Sequence, residues 1–228
     1  MRNCLCFALA ILSSVASGCA TTHLLQPVGK NNVRINVSGG GPAIRLGGPI
    51  PLPLVSVNAA YGVEDDLDIH AGLHPVAAAF NPGAGSTPLM GINAGATWHP
   101  IQRWRHALSI GGELYAFGNR RDAVVFANAW IGGSGRPTRW LLLGGGVHNL
   151  LRVGSSEPEV DARPFWTPTL FGLAEFGPIG RVTIDLEARW YAFTQNGRNT
   201  APEFFPIGSL GALGVMLGVN YTFPEVRR

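Results

Sequence analysis

Cysteine is nearly missing from this 228-residue chain, and its three copies, Cys4, Cys6 and Cys19, all fall within the first nineteen residues. No internal disulfide framework can therefore hold the body of the protein, which must rest on packing and backbone pairing. Lysine is scarcer still, with Lys30 alone. Charged residues make up 14% of the chain, where soluble domains carry about 25%. The formal charge of +3 is small and scattered, which excludes a nucleic-acid-binding surface. Long apolar runs are absent as well. No stretch reaches the length of a membrane-spanning helix without charges, prolines or several glycines, so a helical membrane bundle is excluded. Glycine is plentiful, at 31 residues, without a collagen-like period. Glycine inside apolar stretches costs a helix about 1 kcal/mol each against alanine, whereas barrel strands tolerate it at tight bends.

The first nineteen residues form a unit of their own. Arg2 precedes an apolar run, Leu5–Val15, and the segment closes on Ala16-Ser17-Gly18-Cys19. The run is too short to cross a bilayer and suits the core of a secretory signal. Cys4 and Cys6 then leave with the leader, and Cys19 becomes the only cysteine of the mature chain. Ala16-Ser17-Gly18-Cys19 resembles the lipobox of bacterial lipoproteins. That resemblance implies removal of residues 1–18, acylation of Cys19 and, with no Asp at Ala20 or Thr21, sorting to the outer membrane. The pattern prefers Leu or Val where this chain has Ala16, so ordinary cleavage near Ala20 is the alternative. Residues 19–32 are expected to form a flexible periplasmic tether, with Ala20–Asn32 spanning at most about 45 Å.

From residue 33 onward the recurring unit is a stretch of about ten residues with period-two alternation between turn residues. In Arg181–Phe193, Val182, Ile184, Leu186, Ala188, Trp190 and Ala192 fall on one face. Arg181, Thr183, Asp185, Glu187, Arg189 and Tyr191 fall on the other. Similar stretches run over Val33–Gly39 (resuming at Ala43–Leu46), Leu54–Gly62, Asp66–His74, Leu89–Trp98, Ala107–Phe117, Ala123–Gly132, Arg139–Asn149, Phe165–Phe176 and Leu210–Phe223. The string Tyr61-Gly62-Val63-Glu64-Asp65-Asp66-Leu67-Asp68-Ile69 resembles the strand, tight turn, strand pattern of small outer-membrane barrels. The expected fold is all-β: an up-and-down antiparallel transmembrane barrel over residues 33–223, with about ten strands and eight as the alternative. A soluble β-fold would show the same alternation with its faces exchanged.

The connections supply an internal check. Val63–Asp65, Pro100–His106, Ser134–Thr138 and Gly177–Gly180 are short, while Pro75–Pro88, Leu150–Pro164 and Thr194–Gly208 are long and rich in proline and polar residues. Short periplasmic turns and long outer loops are the pattern of outer-membrane barrels, and only Gly118–Asp122 departs from it. Tyr221-Thr222-Phe223 resembles the aromatic-ended last strand of such barrels, which implies recognition by the barrel assembly machinery. Residues 224–228 follow as a short periplasmic tail. Trp98, Trp104, Phe117, Trp140, Phe165, Trp166, Trp190 and Phe193 lie near strand ends, as interfacial girdles require.

Candidate chemistry is sparse. Asp68 and His70 share a strand face and form a possible base and orienter. Their spacing resembles the Asp-x-His element of omptin proteases, although no second acidic pair matches and the turn beside them lies on the periplasmic side. His148, with Glu175 or Glu187, is similar to part of a lipid A deacylase site, but Leu150 stands where that site has its serine. His70, His74, His99 and His106 have no metal-ligand spacing, so no metal or cofactor is expected. Gly39–Gly41 and Gly144–Gly146 lack the lysine and hydroxyl of a phosphate loop.

The inward face gathers Asp66, Asp68, Glu113, Glu175, Arg181, Asp185, Glu187 and Arg189. Buried charges need partners, so a lumen ion-pair network is expected, with Arg189 meeting a carboxylate of another strand. Three functions follow: a closed, lipid-anchored, noncatalytic envelope barrel with a structural, adhesive or small-ligand role; an outer-membrane hydrolase; and a soluble periplasmic lipoprotein binding an apolar ligand. The first accounts for every titratable residue. Its expected partners are outer-membrane lipids and the barrel assembly machinery, with Cys19 anchored on the periplasmic side.

Overall fold

Period-two alternation lets a strand bury one face and present the other to a different medium, and each alternating stretch forms a strand. The computed structural model describes residues 23–45, 49–51, 54–74, 90–103, 105–118, 123–155, 166–179, 181–196 and 210–223. Its strands are β1 (Val33–Arg45), β2 (Pro49–Pro51), β3 (Leu54–Glu64), β4 (Leu67–His74), β5 (Met90–Arg103), β6 (His106–Gly118), β7 (Ala123–Thr138), β8 (Leu141–Ser155), β9 (Trp166–Ile179), β10 (Val182–Asn196) and β11 (Leu210–Phe223). The three residues of β2 pair only with the far end of β1. The other ten strands follow chain order, each antiparallel to the next, and β11 pairs back onto β1. Register is continuous across the closure, from Val33 opposite Phe223 to Pro42 opposite Gly214. The result is a ten-stranded up-and-down barrel with no open edge, so each strand's backbone groups are satisfied within the wall.

Four hairpins gather at one end. Two residues separate β3 from β4, β5 from β6, β7 from β8 and β9 from β10. These turns are tighter than the sequence suggests, because β5, β7 and β9 continue past the prolines and glycines that seemed to end them. Irregularities in pairing at Gly62/Glu64, Trp98/Ile101, Gly135/Thr138 and Val182/Ile184 absorb the extra residues beside the turns, as bulges do at barrel rims. Both Val33 and Phe223 lie at this same end. The connection at 119–122 lies outside the described residues, as do Cys19, Trp104, Phe165 and the tail at 224–228.

The outer face is apolar. Ile35, Val37, Val57, Ile69, Leu73, Ile92, Leu114, Ile131, Leu143, Ile184, Leu186, Val215, Leu217 and Val219 are all exposed. The inner face carries Asn36, Ser38, Ser56, Asn58, Asp68, Asn93, Thr97, Asn128, Glu187, Arg189 and Asn220, all buried. A water-soluble barrel has the opposite arrangement, so the soluble-lipoprotein expectation fails on this geometry. An apolar sleeve around a polar interior is the arrangement that a bilayer stabilises. Trp98, Trp140 and Trp166 are exposed near strand ends, as girdle residues are, but Phe117 turns inward and is buried.

Candidate lumen site

The segment expected to be a flexible tether is inside the barrel over its described part, 23–32. Leu25 is 2% exposed and clusters with Trp130, Leu142, Phe171 and Leu173. Its side chain lies against Gly132 and Gly144, where any Cβ would collide with it. Glycine on the inner face thus opens a slot, and a leucine fills it. The backbone carbonyl of Leu25 accepts hydrogen bonds from Ser134 Oγ (3.0 Å) and Ser109 Oγ (3.3 Å). Gln26 Nε2 donates to Ser134 Oγ at 2.9 Å. Val28 N–H donates to Asp68 Oδ2 at 3.0 Å. The segment leaves the lumen at the short-turn end. There Asn31 N–H donates to Gly62 O (2.8 Å), Gly62 N–H donates to Asn32 O (3.0 Å), and Lys30 Nζ meets Glu64 Oε2 at 2.6 Å. The Glu64 carboxylate raises the Lys30 pKa above its usual value of 10.5, chiefly through that hydrogen bond. Leu24, Leu25 and Val28 give the stretch expected to be a flexible tether apolar side chains to bury.

At its inner end the segment places His23 at mid-barrel. The imidazole stacks on Phe171, with centroids 3.7 Å apart and planes within 6°. The edge of Trp130 approaches at 5.3 Å. One carboxylate receives both ends of the residue. His23 N–H donates to Glu187 Oε2 at 2.9 Å, and Nδ1 lies 3.0 and 3.1 Å from the two Glu187 oxygens. Arg189 Nε donates to the same carboxylate. His148 stands alongside, its ring centroid 5.3 Å from that of His23, only 2% exposed and with no hydrogen-bond partner at either nitrogen among the described residues.

The expected charge constellation is largely inside, paired differently from the expectation. Asp68 and His70 do not act as a pair. Asp68 Oδ2 lies 3.0 Å from His99 Nε2, whose Nδ1 is 2.9 Å from Ser109 Oγ. His70 Nε2 lies 3.3 Å from Glu113 Oε2, while Asn128 Nδ2 donates to Glu113 Oε1 at 2.8 Å. Glu175 lies 3.5 Å from Arg136, reaching past β8 to β7. Asp185 accepts from Asn220 Nδ2 at 2.7 Å. Arg189 pairs with Glu187 two residues along its own strand. Arg181 and Asp66 are exposed turn residues, since the bulges beside both turns carry them out of the lumen alternation. His148 sits in the middle of β8, and no ion pair joins it to Glu175 or Glu187 among the described residues. Both hydrolase arrangements are therefore broken up.

Asp68, His99 and Ser109 are the residue types of a nucleophilic triad, which sequence spacing did not reveal because they come from β4, β5 and β6. All three are buried, at 0–1% exposure. Ser109 is engaged with the Leu25 carbonyl and Asp68 with the Val28 amide. Their arrangement is a latch that holds the segment to the wall. Above the latch the lumen narrows to a cavity of about 40 Å³ lined by residues including Arg34, His70, Glu113, His148 and His23. At 10–15 Å³ per water, that is room for about three water molecules. No cluster of residues suited to a metal occurs among the described residues.

Architecture places the chain in the class of membrane-spanning up-and-down barrels. It is similar in structure to an outer membrane channel from Pseudomonas putida F1 (TM-score 0.49, 10% identity, covering 89% of this chain and 99% of that one). It is also similar to the KdgM porin in complex with disordered oligogalacturonate (0.48, 8% identity, 85% and 99%). A third likeness is to the outer membrane protease OmpT from Escherichia coli (0.43, 12% identity, 90% and 100%). These are likenesses of barrel form, and none lends this chain a site or substrate. No family model and no curated protein matches the sequence.

Proposed function

We propose that this is a noncatalytic outer-membrane barrel, closed at rest by its own N-terminal segment, with a small-ligand role in its lumen and an acyl anchor at Cys19. The observation that carries the closure is the seating of Leu25 between Gly132 and Gly144 with the Asp68–His99–Ser109 latch beside it. A ten-stranded barrel leaves little space beyond its own side chains, and a ten-residue segment occupies what is left at the short-turn end. Short turns and both wall termini at that end support reading it as the periplasmic one. Against a hydrolase stands the commitment of Asp68, His99 and Ser109 to the segment and of His70 to Glu113.

Planar-bilayer recording tests the closure. The unmodified protein should show little steady current, and a chain lacking residues 23–29 should conduct. Large, steady conductance from the unmodified protein refutes the closed lumen and makes an open channel the function to pursue.

A further inference from the structure

We propose that the socket now filled by His23 is a binding site for a small solute that combines an imidazole-like nitrogen ring with a nearby amine, and that such a solute displaces the N-terminal segment. The walls of the socket belong wholly to the barrel: Trp130 from β7, His148 from β8, Phe171 from β9, and Glu187 with Arg189 from β10. Only the occupant comes from outside the wall, on a segment docked by a few local interactions. Its contacts specify a chemistry. A planar ring is required by the 3.7 Å stack on Phe171 and the edge contact with Trp130. A ring nitrogen and a second N–H donor, a few bonds apart, are required by the shared Glu187 carboxylate. A purely apolar ring would leave a fully buried carboxylate short of a donor, and an amine without a ring would leave the Phe171 face uncovered.

His148 is the independent sign that His23 is a stand-in. Its ring is buried beside the socket with neither nitrogen hydrogen-bonded among the described residues, although buried polar groups are ordinarily satisfied. His23 meets it through a ring contact and not through a hydrogen bond. The adjoining cavity of about 40 Å³, bordered by both histidines, gives a free solute room for a further polar group that pairs with His148. A tethered competitor acts at an effective concentration on the order of millimolar, so the solute must reach that range or bind more tightly than His23 does.

The inference rests on the plugged-barrel reading, and histamine and imidazole separate the two. In His23→Gly, checked for folding by heat-modifiable migration, calorimetric titration should show histamine binding, with imidazole weaker. Methylamine and benzene should fail. Glu187→Gln in the same background should weaken histamine binding at least tenfold. In the unmodified chain histamine must displace His23, so its apparent affinity should fall by about tenfold or more, and its addition should raise the open probability in bilayers. Equal binding of methylamine, or no binding of histamine to a folded His23→Gly barrel, overturns the proposal even where the unmodified protein is electrically silent. A current in the unmodified protein that is already large before any probe is added instead marks failure of the closure itself.

Discussion

Leu25→Ala separates the segment from the wall with the least collateral damage. Leu25 is 2% exposed and packs on Trp130, Leu142, Phe171 and Leu173, yet belongs to none of the ten wall strands. Full burial of a leucine contributes roughly 1.5–3 kcal/mol from transfer alone. Truncation to alanine in a packed site costs about 2–5 kcal/mol once the unfilled space is included. Gly132 and Gly144 have no side chains with which to collapse into the gap, which favours the upper half of that range. The loss falls on the equilibrium between seated and released segment, because the barrel's backbone pairing does not involve Leu25. A change of 2–5 kcal/mol raises the released-to-seated ratio by about 30-fold to several thousand-fold at RT of about 0.6 kcal/mol. Single-channel recording should therefore show openings far more frequent than in the unmodified protein. The heat-modifiable shift and the barrel's own melting should stay nearly unchanged. An equally silent Leu25→Ala barrel, alongside a silent chain lacking residues 23–29, would refute the assignment of this segment as the closure. A large drop in barrel melting would mean that the segment is part of the folding core.

Other consequences can be measured on the same preparation. Leu186 is 46% exposed on the outer face, so Leu186→Arg should cost about 2–4 kcal/mol in bilayer or detergent unfolding, whereas Thr183→Arg, on the lumen side beside Asn220, should be milder. Equal tolerance at the two positions argues against a bilayer around this barrel. Arg189→Ala leaves Glu187 buried without its guanidinium partner, a change that costs roughly 3–5 kcal/mol, and should lower the melting temperature and raise ion leakage; an unchanged melting curve argues that the pair is unimportant. The Lys30–Glu64 pair raises the Lys30 pKa, so its contribution to holding the segment is complete below about pH 10.5 and disappears as pH climbs through the raised folded value. High salt should weaken it at neutral pH, and Lys30→Gln should remove both dependences from the gating record.

The wall was legible in the sequence and the segment was not, for a physical reason. Period-two alternation in Arg181–Phe193 is a local pattern that dictates facing, and Ile184, Leu186, Asp185, Glu187 and Arg189 all face as that pattern requires. Turn length was readable through Glu64-Asp65-Asp66-Leu67, yet the bulges beside the turns, which have no residue signature, moved Arg181 and Asp66 out of the lumen. Pairing partners were hidden because they depend on register across several strands: Asp68 meets His99, thirty-one residues away, instead of His70 two residues along. The fate of residues 23–32 was open to inference from one overlooked combination. Glycines at Gly132 and Gly144 on inward positions leave volume in the wall that close packing does not tolerate. Leu24, Leu25 and Val28 form an apolar set at the nearest unassigned stretch of chain. An underfilled lumen and a segment with leucines to bury are two halves of one signal.

Seating His23 also constrains the lipid anchor proposed for Cys19. Glu187, which holds His23, lies five residues into β10 from Val182. At about 3.3 Å per residue along a strand, and with strands inclined by some 40°, that is about 13 Å above the short-turn end. Three residues, and so four Cα-to-Cα steps, separate Cys19 from His23, and fully extended those steps reach about 13–14 Å. The whole of that length is needed to return to the rim, with none left to pass around the wall into the periplasmic leaflet. An acylated Cys19 in that leaflet and a seated His23 therefore compete for the same short length of chain, so anchoring should work against closure. Intact mass fixes the first premise by showing whether Cys19 is the acylated N-terminus. If it is, the acylated barrel should open more often than the Cys19→Ser protein produced without a lipid, and Leu25→Ala should erase the difference. Identical, closed records from the two forms would refute this competition between anchoring and closure.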